Sequence, residues 1–170
     1  MMDQRVLDWV VAHRTPWLTD GFMFVTNVGG VVGMTLVASL LTLALLVRNH
    51  RLDALLVGGS MLSGWLVMNL VKLLIGRDRP PFPQRLVEEA SSAMPSGHAM
   101  LSAVLVCVVG AVIFRLRPPR NPVPMYILLG AITTLDGVSR VYLGAHWLTD
   151  VLVGWALGVA WAMAWIRGLR

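Results

Sequence analysis

The chain has 170 residues, of which 56% are hydrophobic and only 14% charged, with 14 Lys and Arg against 9 Asp and Glu. A soluble domain carries about a quarter charged residues, and one core at this length cannot hide so much apolar surface. A soluble globular domain is therefore excluded. Orientation and site chemistry use up the basic excess, so a nucleic-acid partner is not expected either.

The chain reads as an all-α polytopic transmembrane helix bundle of about five spans, preceded by an N-terminal interfacial amphipathic helix. Residues 1–170 are expected to form a single integral membrane domain. Gln4 to Trp17 places Val6, Trp9, Val10 and His13 near helical spacing, with Asp3, Asp8 and Arg14 elsewhere around the helix, and is expected to lie on the membrane. Those charges also leave the first residues without the apolar run of a secretory signal. The first span is expected from about Phe22 to Val47, stopped by Arg48-Asn49-His50-Arg51, and the second from about Leu52 to Ile75. Gly76 to Met94 holds three prolines and six charged residues and is an extramembrane loop.

The third span is expected from Gly97 to Phe114, followed by a short basic turn from Arg115 to Asn121. The fourth begins near Pro124. Only Met125 to Leu135 is free of charge there, so the helix must include Asp136 to Arg140 to cross. The fifth is expected from about Trp147 to Ile166. Seven Trp residues suit the membrane–water boundary. The single cysteine, Cys107, lies in an apolar stretch and precludes an intrachain disulfide.

An odd number of spans puts the chain ends on opposite sides and gathers three polar clusters on the N-terminal side. The opposite face collects Arg48, Arg51, Arg115, Arg117, Arg120, Arg167 and Arg170; the cluster face keeps Arg5, Arg14, Arg77 and Arg85 once the site cations are set aside. The arginine excess marks the cytoplasm. The clusters then open on the outer, periplasmic face of a bacterial-type plasma membrane.

The clusters supply the parts of a phosphoryl-transfer site. Lys72, the only lysine, with Arg79 and Arg140 places three cations close to lipid, which is costly without an anionic partner. Phosphate suits them, taking a planar fork from Arg and a point charge from Lys. Ser96 is a candidate N-cap, and Gly97 permits close backbone approach, so the next helix presents free N–H groups to an anion. His98 follows in its first turn. His146 and Asp150 stand four apart, where the carboxylate can fix one imidazole nitrogen and leave the other free to attack. In the mechanism these residues imply, Lys72, Arg79, Arg140, Ser96 and Gly97 bind phosphate, His146 is the nucleophile, Asp150 its support and His98 the acid. No metal or other cofactor is expected, and the zinc-helix spacing is absent. Arg77 and Arg85 read as snorkelling interfacial cations, Glu88 and Glu89 as a solvated acidic loop, and Gly154-x3-Gly158 as packing inside the bundle. Asp136 and the oligomeric state are left unassigned.

Lys72-x6-Arg79-Pro80, Pro95-Ser96-Gly97-His98 and Ser139-Arg140-x5-His146-x3-Asp150 together resemble the three-part signature of the type 2 phosphatidic acid phosphatase superfamily. The resemblance covers Lys72 to Asp150 directly. It implies a helical bundle with a metal-free pocket near the membrane surface, and the residue roles just given. Bacterial lipid phosphatases of this type often have six spans, against the five plus an interfacial helix read here. The soluble haloperoxidases that share the signature are excluded by the spans. A silent lipid-phosphate-binding protein would lack a histidine or Asp150, and a transporter would show inverted repeats. The substrate expected first is undecaprenyl diphosphate, with phosphatidic acid or phosphatidylglycerol phosphate as alternatives.

Overall fold

The computed structural model describes residues 2–169, so Arg170, counted above on the cytoplasmic face, lies outside the described residues together with Met1. The helices are α1 (Met2–Ala12), α2 (Pro16–Val28), α3 (Val31–Val47), α4 (Arg51–Ile75), α5 (Gly97–Leu116), α6 (Val123–Tyr142) and α7 (Leu148–Gly168). The expected interfacial helix ends earlier than Trp17, because Pro16 opens α2 at its first position, where a missing N–H costs nothing. The expected first span is not one rod. It breaks at Gly29-Gly30 into α2 and α3, bent by 42°.

α4, α5 and α7 are each long and apolar enough to cross a bilayer, and the bent α2–α3 pair passes the same test only when its two helices are taken together as one span. The chain is thus an all-α polytopic membrane bundle with three or four strongly apolar spans. α6 has 20 residues but carries Asp136 and Arg140, and it falls short of the others in apolarity. Ser139 and Arg140 belong to the last turn of α6, so the fourth helix does run through Asp136 to Arg140 as expected.

The bundle is organised around α5, which packs against α3, α4, α6 and α7. Met100, Leu101, Val104 and Val108 on α5 meet Leu56, Val57 and Met61 of α4 in one apolar core. Outward-facing Val32, Leu36, Leu40, Leu62, Leu66, Leu73 and Ile127 are exposed, as lipid-facing positions are in a bilayer. α4 ends at Gly76, whose φ of +60° lies in the left-handed region open to glycine. Its N–H caps the Lys72 carbonyl at 3.0 Å, which leaves Lys72 on the final turn facing the loop.

The α5–α7 contact sets the site. A Cβ on Gly154 would meet the Ser96 carbonyl oxygen and Ala99; one on Gly158 would meet the Met100 carbonyl oxygen and Ala103. The expected Gly154-x3-Gly158 seam therefore packs inside the chain, letting two backbones approach as small residues do between membrane helices. Gly158→Ala should destabilise the protein in detergent by an overpacking penalty of about 1–3 kcal/mol, lowering the thermal midpoint, and reduce turnover with it, since α5 carries His98 and α7 carries Asp150. An unchanged midpoint and turnover would show that the helices do not need this approach.

Candidate active site

One end of the bundle gathers the C-terminal end of α4, the first turn of α5, the last turn of α6 and the first turn of α7. The loop between α4 and α5 folds over them. Lys72 is buried and donates through Nζ to the Ser92 carbonyl at 2.5 Å, while Ser92 Oγ returns a bond to the Lys72 carbonyl at 2.7 Å. Arg79 donates through Nε to the Ser91 carbonyl and through Nη1 to the Ala145 carbonyl, both at 2.7 Å. The same Nη1 reaches His146 Nε2 at 3.2 Å. A guanidinium has only protons to offer, so Nε2 accepts and the imidazole proton sits on Nδ1.

His146 Nδ1 faces Asp150 Oδ2 at 3.6 Å, a spacing longer than a formed hydrogen bond. The pair does not share a helix face as the spacing suggested, because α7 begins at Leu148 and His146 lies in the turn before it. Asp150 is fully buried and its Oδ2 accepts the Trp147 N–H at 2.9 Å, capping α7. Ser96 caps α5, its Oγ accepting from the Ala99 N–H at 3.5 Å, and its own N–H donates to the Asp150 carbonyl at 3.0 Å. Gly97 is buried against Met68, so its lack of a side chain serves helix packing.

Arg140 on α6 faces the same space. Its Nη1 donates to Thr26 Oγ1 at 2.6 Å, and its Nη2 pairs with Glu89. Thr26 Oγ1 also lies 3.4 Å from His98 Nε2, so one hydroxyl links the cation to the second imidazole. Glu89 stands 3.9 Å from Arg79 as well. It is therefore not the solvated loop residue expected: its carboxylate occupies the position between two guanidiniums. All eight sequence-predicted residues, Lys72, Arg79, Ser96, Gly97, His98, Arg140, His146 and Asp150, come to this end of the bundle.

Sequence reasoning missed four neighbours. Thr26 and Glu89 are two. Arg77, read as a surface cation, pairs inward with Asp150 Oδ1 at 2.5 Å and with Asp3 Oδ2 at 2.7 Å; Asp3 is the fourth. No motif spacing marks them, since each reaches the site through a contact distant in sequence. Arg85 instead lies over the Phe82 ring within its own loop, 4.2 Å from the centroid. Asp136 is buried with neither carboxylate oxygen hydrogen-bonded, and it lines an apolar cavity of about 240 Å³ with Phe24, Val28 and Ile132. Among the described residues no three His, Cys, Asp or Glu side chains converge as metal ligands. Burial, reinforced by the charges of Arg79, Arg140 and Lys72, holds the His146 imidazole well below the ordinary histidine value of 6.5.

A family model described as the PAP2 superfamily matches residues 53–170. Phosphatidylglycerophosphatase B of Bacillus subtilis is 31% identical over 159 residues, covering 92% of this chain and 78% of that protein. An undecaprenyl-diphosphatase of Sulfolobus acidocaldarius is 44% identical over 64 residues, 38% of this chain and 27% of that protein. The crystal structure of a transmembrane PAP2-type phosphatidylglycerolphosphate phosphatase from Bacillus subtilis superposes with a TM-score of 0.90 at 30% identity, covering 98% of this chain and 83% of that one. Aquifex aeolicus LpxE shares the fold, with a TM-score of 0.77 at 17% identity over 98% of this chain and 96% of that one.

Two outcomes test the geometry. Thr26→Val removes the acceptor of Arg140 Nη1, and titration with orthovanadate should show affinity weakened by about tenfold, with Thr26→Ser restoring it; equal affinity in Thr26→Val would refute the bridge. NMR of protein carrying labelled histidine should show His146 still neutral as pH falls through 6.5, with protonation only well below it. A midpoint at or above 6.5 would mean that the cations do not bear on the ring.

Proposed function

The chain belongs to the PAP2 superfamily and is a membrane lipid phosphatase, and we propose that it releases the terminal phosphate of phosphatidylglycerophosphate through a phosphohistidine at His146. What carries this reading is the flanking of one imidazole: Arg79 on Nε2 at 3.2 Å, Asp150 toward Nδ1 at 3.6 Å. At rest the Nε2 lone pair accepts from Arg79 Nη1; as substrate binds, Nη1 turns to a phosphoryl oxygen, which frees that lone pair to attack and sets the oxygen beside it. Catalytic hydrogen bonds are commonly long at rest and shorten as charge develops, so Asp150 closes on Nδ1 as the ring becomes cationic.

In the first step His146 Nε2 forms an N–P bond in line, the P–O bond to the lipid breaks, and His98 gives its proton to the leaving oxygen. In the second, His98 takes a proton from water as the water oxygen attacks phosphorus. The N–P bond then breaks and inorganic phosphate leaves. Lys72, Arg79 and Arg140 hold the equatorial oxygens throughout, with the N-terminus of α5 at Ser96 and Gly97 beside them. These cations supply the charge a metal ion would, so turnover is expected to be metal-independent.

The substrate order differs from the one expected from sequence. The relative that covers most of the chain is a phosphatidylglycerophosphatase, whereas the undecaprenyl-diphosphatase match spans only a segment. Phosphatidylglycerophosphate therefore comes first and phosphatidic acid second. The apolar cavity between α2, α5 and α6 offers a place for substrate hydrocarbon close to the site. With α6 as a fifth crossing, α1 lying on the surface and the Arg48, Arg115 and Arg167 end cytoplasmic, the single domain opens its site outward.

Phosphate release by the detergent-purified chain, in EDTA, should rank phosphatidylglycerophosphate above phosphatidic acid and both above undecaprenyl diphosphate. His146→Ala should lower kcat by about 10³-fold or more. Release dominated by undecaprenyl diphosphate would restore the first expectation. Loss of activity in EDTA would remove the metal-independent mechanism.

A further inference from the structure

We propose that Asp3 and Arg77 are positioning residues for the reaction, forming a relay that holds the Asp150 carboxylate toward His146 and makes the N-terminal helix part of the catalytic assembly. The inference rests on His146 being the nucleophile. Asp150 is fully buried, and both of its oxygens are committed: Oδ2 to the Trp147 N–H at 2.9 Å and Oδ1 to Arg77 Nη1 at 2.5 Å. A carboxylate fixed at both oxygens can turn only slightly, so the direction it presents to His146 Nδ1 is set by these two donors. An unpaired buried carboxylate would also be costly to keep ionised.

Arg77 is itself held. Its Nη1 also donates to Thr149 Oγ1 at 2.7 Å, and its Nη2 donates to Asp3 Oδ2 at 2.7 Å. Asp3 then closes the ring onto α7. Its Oδ1 accepts the Thr149 N–H at 3.0 Å, and its Oδ2 accepts Thr149 Oγ1 at 2.6 Å. Thr149 stands in the first turn of α7, where backbone N–H groups have no intrahelical partner. Asp3 thus caps α7 from another helix. Burial pushes the Asp3 carboxyl up, but the bonds from Thr149 and Arg77 outweigh it and leave it below its ordinary range.

The charges add up in one direction. Asp3 and Asp150 with Arg77 between them carry one net negative charge, which faces the imidazole that must become cationic. Arg77 alone on Asp150 would cancel the support it positions, and Asp3 restores it. Both terminal nitrogens of Arg77 are spent on these inward contacts, and the Trp147 ring covers the guanidinium with its centroid 5.7 Å away. A headgroup contact is therefore not what holds this side chain.

The test is steady-state phosphate release from phosphatidylglycerophosphate by the full chain in detergent, with thermal midpoints recorded for every variant. Asp3→Asn and Arg77→Gln should each lower kcat by about ten- to a hundredfold, as small misplacements of catalytic groups do, with KM within about twofold of wild type. The double variant should lose no more than Arg77→Gln alone, because the two act in one relay. Arg77→Lys, which keeps the charge, should recover part of the loss. Unchanged kcat in both single variants, additive losses in the double, or a raised KM at constant kcat would overturn the relay. His146→Ala run alongside separates the failures: an inactive His146→Ala beside fully active Asp3→Asn and Arg77→Gln defeats the relay alone, while an active His146→Ala defeats the nucleophile and the relay with it.

Discussion

Three cations gathered at the edge of a hydrocarbon layer are the constraint from which the rest of this structure follows. Lys72, Arg79 and Arg140 repel one another and lose hydration where they stand, so each must find acceptors nearby. The loop from Gly76 to Ser96 provides most of them through its backbone: Ser91 and Ser92 give carbonyls to Arg79 and Lys72. Ala145, in the turn before α7, gives another. The loop is thereby fixed over the site without secondary structure of its own. Its conformation is specified by the cations beneath it more than by its own sequence.

The helices supply position. α5 and α7 approach so closely at Gly154 and Gly158 that the first turn of one lies against the first turn of the other. The Ser96 N–H consequently reaches the Asp150 carbonyl, which locks the helix bearing His98 to the helix bearing Asp150. The break at Gly29-Gly30 does the same from the other side. By ending α2 at the depth of the site, it allows Thr26 to stand between Arg140 and His98. A straight first span would pass that depth without stopping there. Departures from regular helix thus coincide with the places where site residues meet.

Much of this was legible in the sequence because the chemistry is expensive in a membrane. A lone lysine, paired histidines and arginines beside long apolar runs have few uses other than binding an anion, and their order matches a known signature. The apolar runs of α4, α5 and α7 were equally plain. What escaped detection was whatever depends on long-range contact. Asp3 and Thr149 are 146 positions apart, and Thr26 and Arg140 are 114 apart, with nothing local to announce either pair. Arg77 was misread because a surface arginine and an inward one look alike in sequence. The helix break was missed because two adjacent glycines inside an apolar run are also what a membrane helix uses for packing.

The balance of acceptors also bears on how the site uses a phosphate. Backbone carbonyls accept from Arg79 and Lys72, but the side-chain negative charge between Arg140 and Arg79 comes from Glu89. In the proposed mechanism an incoming lipid phosphate would exchange with that carboxylate and leave the carbonyl contacts intact. Ground-state binding therefore gains little, one anion replacing another against the same guanidiniums. The phosphoryl group differs from the carboxylate in what happens next: its equatorial oxygens keep their charge while the bonds to nitrogen and to the leaving oxygen are partial, and donors already aimed at them need not reorganise. On the proposed mechanism such a cradle would favour the transition state over the bound lipid, which is the condition for raising kcat.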